Sequence, residues 1–182
     1  MIVFDATAFM LLVHPDAKPP IDPKTGTPVT QVRERFAFLE QEIQRSGETI
    51  LIPAPALAEV LVGLEDAGPA VLERLSRSAR FKIAEFDTMA AVELAAMTRE
   101  ALRVGDKKAG SASPWQKIKI DRQIIAIARC RGATKIYSDD DGVAKFAAEI
   151  GVEVVPTWSM PLPPTDPQQP LFDKDDPDWG CF

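Results

Sequence analysis

The chain has 182 residues, enough for a single domain with a sizeable core, since domains usually run to about 100–200 residues. It is 46% hydrophobic and 26% charged, with 21 basic and 27 acidic residues and a net charge of -6. This excludes a disordered chain and argues against a protein that coats nucleic acid through bulk charge. Two cysteines, Cys130 and Cys181, and one histidine, His14, exclude a disulfide framework and nearly remove zinc sites of the His/Cys type. A Ser-His-Asp triad has His14 as its single candidate, and that residue reads as a helix end. The N-terminal run MIVFDATAFMLLVHP lacks a basic leader, carries Asp5, and is too short to cross a membrane. A cytoplasmic location is expected.

Strand-like and helical segments alternate. Ile2–Asp5 reads as a strand and Thr7–His14 as a helix directly after it. Five prolines make residues 15–29 a loop. From Thr30, the expected N-cap, a helix repeats Val32, Phe36, Leu39 and Ile43 until Gly47 stops it. Thr49–Ile52 is a strand, Ala56–Leu64 a helix, and Pro69–Ala79 another helix after the Gly68–Pro69 break. Phe81–Phe86 alternates like a strand, and Thr88–Val104 is an amphipathic helix closed by Gly105. After the loop Gly105–Ser113, Pro114 opens a helix to about Arg131 with Gly132 as its stop. Thr134–Tyr137 and Val152–Val155 read as strands flanking a helix over Gly142–Ile150.

Strands separated by helices imply right-handed crossovers, a mainly parallel sheet of about five strands, and helices on both faces. The expected fold is therefore α/β. Residues 1–155 form the domain. Residues 156–182 carry seven of the sixteen prolines and five acids against one lysine, and read as a tail.

Four acidic positions stand out by their surroundings. Asp5 is the one charge in Met1–Val13, and Glu59 the one charge in Ile50–Leu64. Asp121 falls on a helical face with Ile118, Ile125 and Ala128, the face that meets the sheet. The run Asp139–Asp141, after Ser138, sits where a strand ends and a helix begins. Ligands of open α/β sheets bind at such strand ends. Clustered carboxylates repel and raise one another's pKa values, a conflict that Mg²⁺ or Mn²⁺ resolves with oxygen ligands. Each acid also has a plainer role. Asp5 caps the following helix, Glu59 lies on a solvent face, Asp121 complements a helix dipole and pairs with Lys117, and Ser138 with Asp141 forms a capping box.

FDATAF, PALAEVL, KIDRQIIAIA and ATKIYSDDDGVAKF, with VEVV closing the sheet, resemble a PIN-domain ribonuclease of the VapC toxin type over about Met1–Val155. The resemblance implies a three-layer α/β/α sandwich and RNA cleavage dependent on Mg²⁺ or Mn²⁺. By motif, Asp5, Glu59, Asp121 and Asp140 match the catalytic, metal-holding acids, with Asp139 and Asp141 as neighbouring alternatives to Asp140. Thr7 and Ser138 match supporting hydroxyl residues. RNA as substrate, an antitoxin protein and a homodimer are implied partners. The alternatives are an inactive PIN-like module that binds protein or RNA, and a haloacid-dehalogenase-like phosphatase. The latter needs an Asp where Thr7 stands.

Between Arg99 and Lys135, ten basic residues face three acids, a local charge of +7 within an acidic chain. That segment contains Asp121, and it is expected to place a phosphate-attracting field beside the acids. Trp115 is the expected base-stacking aromatic, or else a core residue.

Overall fold

The structure, a computed structural model, describes residues 1–164 apart from Pro15, Lys107, Ala109 and Ala112. Five strands, β1 (Ile2–Phe4), β2 (Ile50–Pro53), β3 (Phe81–Ala84), β4 (Lys135–Tyr137) and β5 (Glu153–Val155), pair in parallel in the order β3-β2-β1-β4-β5. Seven helices connect them: α1 (Ala6–Val13), α2 (Val32–Ser46), α3 (Ala54–Leu64), α4 (Gly68–Arg77), α5 (Thr88–Arg103), α6 (Trp115–Cys130) and α7 (Asp141–Glu149).

Successive strand residues point to opposite faces, and the sheet thereby feeds two cores. Ile2, Phe4, Ile50 and Ile52 pack with α1–α4 around Phe9, Phe36 and Val60. Val3, Leu51 and Ile136 pack with α5–α7 around Ile118, Ile125 and Phe146. The result is a sandwich with a fully parallel sheet as its middle layer. Both faces of the sheet are covered, so β1 and β2 are buried throughout. The edge strand β3 is not: Lys82 and Ile83 are both exposed, so the alternation expected over Phe81–Phe86 is lost and the strand ends at Ala84.

Local signals set most boundaries. Asp5 and Asp87 cap α1 and α5 through their side chains, and Gly47 ends α2 at φ 74°. Thr30 does not cap α2. Gln31 holds that position in a left-handed conformation, φ 55°, with no side-chain bond. The expected break at Gly68–Pro69 is absent, because a short 3₁₀ turn over Glu65–Ala67 runs straight into α4. The capping box also fails: Asp140 caps α7, while Ser138 turns inward. Past Pro156, Thr157 and Met160 are buried, Met160 within the core beside α2. Residues 165–182, which include Cys181 and most of the acidic tail, lie outside the described residues.

The sheet order fixes where a site forms. The chain steps from β1 outward to β2 and β3, then returns to place β4 on the other side of β1. The reversal opens a crevice at the carboxyl ends of β1 and β4.

Candidate active site

Asp5 leaves the end of β1 with its amide bonded to Tyr137 O at 3.1 Å, directly across from the end of β4. The residue is 2% exposed, and both of its carboxylate oxygens are hydrogen-bonded. Oδ1 accepts Thr7 Oγ1 at 2.8 Å and Ala8 N at 2.9 Å, and Oδ2 accepts the Ser138 hydroxyl. The two hydroxyls also accept from the opposite strand end, Thr7 from Asp139 N at 3.1 Å and Ser138 from Asp140 N at 3.0 Å. Asp5 is therefore both the cap of α1 and the centre of a lattice joining β1 to β4. Burial pushes its pKa up to about 6 despite these bonds.

Asp121 reaches the same crevice from α6, the helix that packs between α5 and α7. It lies in the second turn of α6, not the first, and is 5% exposed among Ile118, Ile125 and Ala128 as expected. Its Oδ2 is buried without a hydrogen-bond partner. Burial, and next the charge of Asp140, push its pKa up to about 6. Gly142 gives the carboxylate its room, since a Cβ there would stand 2.6 Å from Asp121 Oδ2 and 2.9 Å from Asp140 Oδ1.

Asp140 caps α7, with Oδ1 accepting Gly142 N at 2.7 Å. Its Oδ2 is ion-paired with Lys117. Asp139 turns away and holds Thr157 through both oxygens, at 2.6 Å from N and 2.7 Å from Oγ1. Asp141 is exposed in the first turn of α7. Glu59, on α3, is exposed as its plainer role requires, yet it stands at the mouth of the crevice. Its pKa is raised by partial burial, with the Lys117 charge opposing.

One cavity of about 450 Å³ thus gathers Asp5, Glu59, Asp121 and Asp140 from four separate segments, with Thr7 and Lys117 beside them. Lys117 and Gln116 were not singled out as site residues in the sequence. The signal for Lys117 was its spacing: it lies four residues before Asp121, on the same helical face. Lys117 bonds Asp140 rather than Asp121.

By donor type, four carboxylates, one of them with an orphaned buried oxygen, suit a hard divalent cation. In this arrangement no three His, Cys, Asp or Glu side chains among the described residues stand close enough together to hold an ion. Lys117 supplies the positive charge at Asp140.

The basic segment is partly neutralised by folding, through acids outside it at Asp140, Glu93, Asp87 and Glu153. Arg103 pairs with Glu100, Lys117 with Asp140, Arg129 with Glu93, Arg131 with Asp87 and Lys135 with Glu153. Arg122 is 2% exposed, 4.9 Å from the Phe146 ring and 5.8 Å from Trp115. Trp115 packs partly buried against the core, which is the plainer of its two expected roles. The local +7 of the sequence is therefore not a surface charge of that size.

A family model described as the PIN domain matches residues 31–149. The chain belongs to the PIN-domain family. The match spans Glu59, Asp121 and Asp140 and begins after Asp5. Solved structures extend the likeness. A DNA-bound VapBC from Salmonella typhimurium aligns at TM-score 0.53 and 16% identity, covering 86% of this chain and 97% of its own. VapBC2 from Rickettsia felis, bound to a DNA fragment from its promoter, gives the same TM-score and identity over 86% of this chain and 98% of its own. At that identity the likeness is one of fold. No curated protein matches the chain in sequence. Membership of the PIN family removes the haloacid-dehalogenase alternative, and Thr7, where that chemistry needs a second Asp, is a hydroxyl donor to Asp5. No helix among the described residues is long and apolar enough to cross a membrane.

Proposed function

We propose that the protein is a divalent-metal-dependent endoribonuclease, the toxin member of a toxin–antitoxin pair. The observation that carries the reading is the convergence of Asp5, Glu59, Asp121 and Asp140 on one cavity at the sheet's switch point, with Asp121 Oδ2 buried and unpartnered. A buried carboxylate oxygen without a partner, as at Asp121, costs several kcal/mol, and a bound cation would offset that cost.

Asp5, Asp121 and Asp140 would hold Mg²⁺ or Mn²⁺, with Glu59 at the mouth. When bound, such an ion supplies charge to a phosphoryl oxygen and lowers the pKa of water. The chain's own part is positional. Thr7 and Ser138 fix both Asp5 oxygens, and the α7 amides fix Asp140 Oδ1. Asp139 instead anchors Thr157, which favours Asp140 as the fourth acid. An antitoxin partner, supported by the fold shared with VapBC complexes, a homodimer and a cytoplasmic location complete the proposal.

The test is cleavage of a labelled RNA mixture with Mn²⁺, with and without EDTA. Cleavage that needs Mn²⁺ and is lost in Asp5→Asn supports the assignment; activity retained in Asp5→Asn sinks it. Mn²⁺ binding with no cleavage of any RNA favours the inactive binding module.

A further inference from the structure

We propose that Lys117 is a built-in counter-ion of the carboxylate cluster, and that a divalent cation and the Lys117 ammonium compete for the same oxygen, Asp140 Oδ2. The inference rests on the metal-dependent reading above and goes further, because it assigns a role in metal affinity to a residue outside the four acids.

The geometry limits Asp140 to one available oxygen. Oδ1 is occupied by the amides of Gly142, at 2.7 Å, and Val143, at 3.4 Å, which start α7. Asp140 and Lys117 both line the cavity, and the Lys117 ammonium takes Oδ2. At Asp5, Oδ1 already accepts Thr7 and Ala8, and Oδ2 is bonded to Ser138 alone. Among the buried acids, Asp121 Oδ2 is the unpartnered oxygen, and it stands near Asp140, with both carboxylates close to Gly142. An ion bridging Asp121 and Asp140 therefore requires the oxygen that Lys117 holds.

The exchange is physically easy. The Lys117 side chain is 48% exposed while Asp140 is 16% exposed, so the ammonium can return to water without crossing the core. A lysine is a flexible point charge on a four-carbon stem, suited to a bond that is made and released. Glu59, Asp121 and Asp140 are the acids whose fields act on it. With Lys117 in place, these acids are partly compensated and the fold tolerates them; with the ion in place, Lys117 is released at the mouth of the cavity.

Mn²⁺ titration by calorimetry at pH 7.5, on the full chain, tests this. Lys117→Met is expected to bind Mn²⁺ about tenfold more tightly than wild type, the scale of removing one nearby unit charge at a partly exposed site. In EDTA its melting temperature falls by a few degrees, as the acids lose their counter-ion. Lys117→Arg, which keeps the charge, stays within about threefold of wild type, and Lys82→Met, which removes a charge from β3, within about twofold. Equal Kd values for wild type and Lys117→Met overturn the inference while leaving the nuclease reading intact. Failure of both to bind Mn²⁺ overturns both. On wild type, the ¹⁵Nζ resonance of Lys117 should shift with Mg²⁺ at the binding midpoint. A resonance that ignores Mg²⁺ also overturns the inference, independently of how the variants fold.

Discussion

The Ser138 hydroxyl donates to Asp5 Oδ2 while accepting the amide of Asp140, so a single side chain ties the end of β4 to the end of β1. Ser138 is 2% exposed, and water cannot replace it easily. Ser138→Ala leaves a buried carboxylate oxygen without its donor and a peptide N–H without its acceptor. The expected loss is about 2 kcal/mol of stability, as for other buried groups stripped of a partner. Urea denaturation measures it, and a loss below about 0.5 kcal/mol would show that the lattice contributes little.

Asp121 is a different kind of burial, since its Oδ2 has no donor at all. Asp121→Asn removes the charge and keeps the shape. In EDTA at pH 7.5 the variant is expected to melt a few degrees above wild type, while Mn²⁺ no longer raises its melting temperature. A variant less stable than wild type in EDTA would mean that Asp121 already has its counter-charge within the fold.

The two raised carboxyls predict how stability depends on pH. Asp5 and Asp121 each titrate at about 6 in the folded chain against 3.8 as the ordinary value. The folded state therefore binds these protons more tightly than the unfolded state. Stability contributed by the two groups falls as pH rises from about 4 through about 6, because the unfolded chain releases its protons first. In EDTA the melting temperature should be higher at pH 5 than at pH 7.5, and the difference should shrink in the Asp5→Asn, Asp121→Asn double variant. A melting temperature that climbs from pH 5 to 7.5 in EDTA would contradict the shifts.

Neighbouring aspartates divide into two tasks. Asp139 holds Thr157 beyond β5, and Asp140 faces the cavity. Asp140→Asn should lower RNA cleavage by about 100-fold or more, as loss of a group acting on the reacting centre does. Asp139→Asn should cost about 1 kcal/mol of stability and less than about fivefold in cleavage. The reverse order of effects in the cleavage assay would reassign the fourth acid.

Much of this was legible in the sequence because it depends on short-range rules. Hydrophobic period and Gly/Pro punctuation marked all five strands and seven helices, and the alternation of the two element types implied the parallel sheet. A lone charge in an apolar run marked Asp5, which is buried, and Glu59, which is exposed, while an apolar helical face marked Asp121, which is buried.

Other features required the folded chain, because they join residues distant in sequence. Sequence spacing placed Lys117 beside Asp121; only the packing of α6 against α7 brings its ammonium to Asp140, 23 positions away. The pattern around Ser138 suited a local cap equally well, and the register of β1 against β4 turned it toward Asp5 instead.

The net charge of -6 and its local +7 excess were fixed by composition and order alone. What that charge does was settled by tertiary contact. Glu93, Asp87 and Glu153 reach back to neutralise Arg129, Arg131 and Lys135, and burial hides Arg122. Charge adds along a chain without regard to distance, whereas the field that a ligand meets falls with separation and depends on which groups the fold pairs or removes from water.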